Sequence, residues 1–154
     1  MRTTDLRVRR AIHAVAEGRP VVVTADTERD DQGYLVFAAD TATPKTLAFT
    51  VRHTSGLVRV ALPLAECERL DLPPMRTADP DGLPAAAQRV AVDADGAGTG
   101  ISATDRARTI VALASEQAQP GDFRRPGHVI PVHANADGVL GSPGAIEAAV
   151  DLAR

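Results

Sequence analysis

Apolar and polar positions along this chain switch between a helical and a strand-like period, and the switches mark its elements. From Thr4 to about Glu17 apolar residues recur at helical spacing, with Thr4 as cap, Gly18 as stop and Leu6, Val8, Ile12 and Val15 as inward positions. The valine run of Pro20 to Thr24 predicts a short buried strand, and Tyr34 to Ala39 a second one. Thr43-Pro44 opens a helix that carries Leu47, Ala48 and Val51 and ends near His53, with proline at a position whose N–H is not needed. Gly56 to Leu62 reads as a strand, Leu64 to Leu70 as a short helix, and Leu72 to about Ala86 as a proline-rich mobile loop. Gln88 to Asp93 reads as a strand. Ser102 caps a helix running to about Ala114, Gly127 to Val132 forms a strand after a Pro-Gly turn, and Ser142-Pro143 starts a last helix carrying Ile146, Val150 and Leu152. Strands and helices alternate without a strict βαβ rhythm, so the fold class is α+β, a mixed β-sheet covered by helices.

Composition narrows this only slightly. The 154 residues suit one domain with a real core, and 44% hydrophobic and 24% charged residues are ordinary for a globular chain. A net charge of -3 gives no reason to expect a nucleic-acid partner. The first ten residues are charged and lack an apolar core, and no apolar run reaches transmembrane length, so neither a signal peptide nor a membrane partner is expected. The single cysteine, Cys67, excludes an internal disulfide and fits a cytoplasmic location.

The chemistry concentrates in Asp26-Thr27-Glu28-Arg29-Asp30-Asp31-Gln32-Gly33-Tyr34, a carboxylate-rich loop between two strands. Four further blocks follow in order: Arg52-His53-Thr54-Ser55-Gly56-Leu57-Val58, Thr99-Gly100-Ile101-Ser102-Ala103-Thr104-Asp105-Arg106, Arg125-Pro126-Gly127-His128-Val129-Ile130-Pro131, and Glu147-Ala148-Ala149-Val150-Asp151-Leu152. Together they resemble the 3,4-dihydroxy-2-butanone 4-phosphate synthases along nearly the whole chain. The resemblance implies that family's fold, a single synthase-like domain over 1–154, and a homodimer with its site near the interface. It also implies a Mg²⁺-dependent reaction that converts ribulose 5-phosphate to the four-carbon precursor of riboflavin and releases formate.

Where the family carries Asp-Asp-x-x-Arg-Glu-x-Glu-Gly-Asp, this chain keeps Asp26, Arg29 and Gly33 but has Asp30, Gln32 and Tyr34 in place of Glu, Glu and Asp. Ala145 stands where the family has its metal-binding His, Arg59 where it has a Cys, and Gly98 where it has the first Thr of Thr-Thr-Gly. The family also continues through a further strand and helix past the position of Arg154. Ala145 offers no ligand atom, and Asp30 is a remnant with a shorter arm. Gln32 cannot act as a carboxylate base. Removing one stabilising charge or donor from such a site raises the barrier by roughly 3 kcal/mol.

These departures lead to the expectation of a repurposed enzyme. It would perform metal-independent cyclisation, dehydration or isomerisation on a less polar small molecule in specialised metabolism, with no cofactor. A non-catalytic binding or accessory protein and a residual Mg²⁺-dependent synthase stay open as alternatives. Candidate catalytic groups are His128, Tyr34, Asp30 and Glu147, and candidate substrate-binding groups are Arg29, Gln32, Arg59, Thr99 and Arg106. Each has a plainer reading. Arg29 is a solvated loop charge, Asp30 an acidic turn and Tyr34 a packed strand residue. Thr99 and Arg106 flank ordinary helix capping, His128 is structural, and Glu147 sits in a helix's first turn, where negative charge is favoured. Cys67 reads as inert.

Overall fold

The computed structural model describes residues 3–24, 33–75 and 87–154. Five helices, α1 (Thr3–Ala16), α2 (Pro44–His53), α3 (Leu64–Arg69), α4 (Ala103–Leu113) and α5 (Ala145–Ala153), surround five strands, β1 (Val21–Thr24), β2 (Gly33–Val36), β3 (Arg59–Pro63), β4 (Val92–Ala94) and β5 (Phe123–Ala134). The class is α+β, as the sequence predicts. β1 and β2 form an antiparallel pair, and β3-β5-β4 form a mixed sheet in which β5 runs parallel to β3 and antiparallel to β4. Local chemistry sets the helix starts. The Thr43 hydroxyl accepts from the Thr46 N–H ahead of Pro44, and the Ser102 hydroxyl accepts from the Asp105 N–H.

The core lies between the three-stranded sheet and α2, α3 and α4. Leu47, Val60, Leu62, Leu70, Val92, Ile110, Leu113 and Val129 are buried there, each worth about 1.5–3 kcal/mol relative to exposure. Thr109 ties helix to sheet through its buried hydroxyl, which donates to the Asp105 carbonyl and accepts from the Ala94 N–H. The Arg69 guanidinium binds Glu66 and the Ser115 and Ala118 carbonyls, fixing α3 against the end of α4. No helix among the described residues is long and apolar enough to cross a membrane.

Three expectations are corrected. Leu6, Val8 and Ile12 are exposed, and only Val15 of the expected inward set is buried, because among the described residues α1 packs mainly against α5 and β1. The valine run is half exposed, with Val22 at 67%, because β1 belongs to a two-stranded hairpin and lacks a second covered face. The expected Pro-Gly turn before Gly127 is absent, since Pro126 and Gly127 lie inside the twelve-residue β5. They are instead part of a bulge. Val92 pairs with Val129 and Asp93 with Arg124, so one step along β4 spans five along β5 and leaves residues 125–128 without a β4 partner.

Candidate active site

The bulge gives His128 its place. A Cβ on Gly127 would overlap the Val92 backbone, so only glycine lets the excursion lie this close to β4. His128 then sits directly over Asp93. Asp93 is 5% exposed, and its carboxylate accepts both the His128 backbone N–H at 2.9 Å and the ring Nδ1 at 2.8 Å. Gly100, at φ +81°, also lies against Asp93, and any Cβ there would strike the carboxylate. Arg125, also in the bulge, anchors it by donating to the Pro120, Phe123, Leu70 and Asp71 carbonyls.

This arrangement has defined chemical use. A carboxylate only accepts, so Nδ1 donates to it, and the neutral form of the ring leaves the Nε2 lone pair for a substrate. The His128 side chain is 40% exposed, so its far edge reaches solvent while its near edge is fixed. That is an oriented general base with a buried carboxylate behind it. His128 was legible in the sequence, but Asp93 was not. Its only signal was an acidic residue in an apolar strand run, Val90-Ala91-Val92-Asp93-Ala94, which ordinarily reads as a solvent-facing position.

A second feature gathers other candidates. A cavity of ≈ 780 Å³ is lined by residues of β2 and β3 together with residues of α2, α4 and α5. Tyr34, Arg59 and Ala145 all line it, and the Arg59 guanidinium carbon stands 5.3 Å from the centre of the Tyr34 ring. His53, which the sequence did not single out, also lines it and packs against Phe49 with ring centres 4.6 Å apart. His128, Glu147, Thr99 and Arg106 do not line this cavity. Glu147 accepts the Asn135 N–H at 3.2 Å, Thr99 is exposed beside Gly100, and Arg106 donates to the Gly56 carbonyl at 3.3 Å. Arg29, Asp30 and Gln32 lie outside the described residues. Among the described residues, no three His, Cys, Asp or Glu side chains come together to hold a metal ion, and Ala145 contributes only a methyl group. Cys67 is fully buried, and burial pushes its thiol pKa up, away from reactive thiolate.

Residues 9–154 match the family model of 3,4-dihydroxy-2-butanone 4-phosphate synthase. The chain belongs to the 3,4-dihydroxy-2-butanone 4-phosphate synthase family. The riboflavin biosynthesis protein RibBA of Salinispora arenicola is 49% identical over 153 residues, covering 99% of this chain and 36% of that protein. RibBA of Mycobacterium tuberculosis is 50% identical over 148 residues, 96% of this chain and 35% of its own length. The chain thus spans about a third of the curated relatives it matches. A solved synthase of this family in complex with two magnesium ions superposes with a TM-score of 0.86 at 44% identity, covering 94% of this chain and 68% of that one. RibBX, a two-domain synthase from A. baumannii, gives 0.88 at 36% identity over 96% of this chain and 43% of its own.

Proposed function

We propose that this chain is a single synthase-like domain that acts on ribulose 5-phosphate by the chemistry of its family, forming 3,4-dihydroxy-2-butanone 4-phosphate and formate. The carrying observation is the Asp93–His128 pair. A His base held by a buried carboxylate is suited to removing the proton beside a ketone and returning it elsewhere on the skeleton, a contribution of about 10²–10⁴ in rate. Close identity to proteins named for riboflavin biosynthesis supports this above the repurposed enzyme expected from the sequence. Among the described residues no three His, Cys, Asp or Glu side chains gather as cation ligands. Magnesium, present in a solved relative, enters as an experimental variable, and the carboxylates the sequence offers it are Asp26, Glu28, Asp30 and Asp31. A homodimer is part of the proposal.

The test is formate release from ribulose 5-phosphate and Mg²⁺, with and without chelator. Chelator-sensitive formate, reduced at least about 100-fold in His128→Ala, is the expected result. No formate from folded protein would reject the reading. It would then favour the second one, metal-independent acid–base chemistry or plain binding of a less polar molecule. The observation behind that second reading is the convergence of Tyr34, Arg59 and Ala145 on one cavity.

A further inference from the structure

The turn after α1 brings one more cation back to the helix. Gly18 takes φ +71°, and the Gly18 and Arg19 N–H groups donate to the Val15 and Ala14 carbonyls at 2.9 and 2.8 Å, a Schellman closure. Arg19 thereby returns to the face of α1 that carries Leu6, Arg9, Arg10 and His13. Those four helix residues are spaced three and four apart, so their side chains share one face. With Arg19 they line a hollow of ≈ 440 Å³ that has no residue in common with the cavity of Tyr34, Arg59 and Ala145. Three guanidinium groups and an imidazole thus surround one concavity. The neighbouring Glu17 registers that positive charge. Its carboxylate accepts from Arg19 Nε at 2.9 Å and lies 3.4 Å from His13 Nδ1, and the Arg19 guanidinium holds its pKa below the usual carboxylate value. Arg9 and Arg10 stand further back along the helix, outside that contact.

Guanidinium forks match phosphate oxygens two at a time. Neighbouring side chains on a helix face stand about 5–6 Å apart, so one phosphate cannot meet all these cations and a short chain of phosphates can. We propose that the hollow on α1 binds a linear di- or triphosphate group, free or carried by a nucleotide. The phosphates lie along Arg9, Arg10 and Arg19, and Leu6 supplies an apolar rim for a base. This inference does not rest on the synthase reading. Binding is read without turnover, so either can fail while the other stands.

Titration calorimetry of the full chain with inorganic tripolyphosphate, at low salt and without divalent cations, tests it. Saturable 1:1 binding is expected, with orthophosphate at least about tenfold weaker. Added salt should weaken it, because these side chains are exposed. Arg9→Gln combined with Arg10→Gln should weaken tripolyphosphate at least about tenfold. Arg7→Gln, on the same helix but outside the lining, should leave it unchanged, and Glu17→Gln should strengthen it by releasing Arg19. ATP against tripolyphosphate distinguishes the two sources. Tighter ATP binding that Leu6→Ser removes identifies a nucleotide, equal affinity identifies the phosphate chain alone, and either supports the proposal. Absence of saturable tripolyphosphate binding overturns it. A loss in Arg7→Gln equal to that in the Arg9 and Arg10 variant marks a diffuse field of charge and overturns it too. So does displacement of tripolyphosphate by a single-stranded oligonucleotide at lower phosphate concentration, which marks a nucleic-acid surface instead.

Discussion

Replacing Asp93 by Asn isolates the role of the buried carboxylate, because shape is kept and only charge and acceptor count change. In the native pair both oxygens are used, one by the His128 N–H and one by Nδ1. An amide has one acceptor oxygen. If that oxygen keeps the backbone N–H, the amide nitrogen faces Nδ1 and donates to it. The imidazole proton then moves to Nε2, and the base edge becomes a donor. A hydrogen bond to a charged group is worth about 1.5–3 kcal/mol, which corresponds to roughly 10–150-fold in any rate that depends on Nε2. The assay is kcat/KM for formate release, together with imidazole ¹⁵N shifts that report the tautomer. Asp93→Asn should lower the rate by that factor and move the proton-bearing nitrogen from Nδ1 to Nε2, with the thermal transition within a few degrees of wild type. A variant with the Nδ1-H tautomer intact, or a rate within about threefold of wild type, would refute the assignment of Asp93 as the positioning residue.

Other outcomes follow from packing. Gly127→Ala should cost about 1–3 kcal/mol in urea denaturation, because its Cβ overlaps the Val92 backbone. Thr109→Val should cost about 1–3 kcal/mol by leaving the buried Ala94 N–H without its acceptor, and an unchanged urea midpoint would contradict that bond. Burial raises the Cys67 thiol above its ordinary pKa, so its contribution to stability is full below the unfolded thiol pKa and is lost as pH rises through the folded value. Labelling with a thiol reagent at pH 8 should be slow in native protein and fast in denaturant.

What the sequence revealed was local. Thr43-Pro44 and Ser102 announced helices α2 and α4 because a cap bonds within three residues of itself. Pro126-Gly127 misled because the pair ordinarily signals a reversal, and here a strand 35 residues distant holds it in a bulge. Asp93 escaped notice for the same reason, as its meaning lies in a histidine far along the chain. Tyr34, Arg59 and Ala145 were legible one by one as departures from a family pattern. Their shared cavity depends on how β2, β3 and α5 stand around it, which no local pattern encodes.

The strand order carries a consequence for synthesis. β3 and β4 never pair with each other, and both depend on β5, which enters the sheet only at residues 123–134. The Arg59–Ile130 pairing closes a loop of about seventy residues, a non-local pairing of the kind that slows folding. On the ribosome the nascent chain therefore exposes two unpaired strands, with the apolar residues of β3 uncovered, until most of the sequence has emerged. Chaperone demand should be greatest in that interval, and stalled or prematurely released chains lacking β5 should aggregate rather than fold.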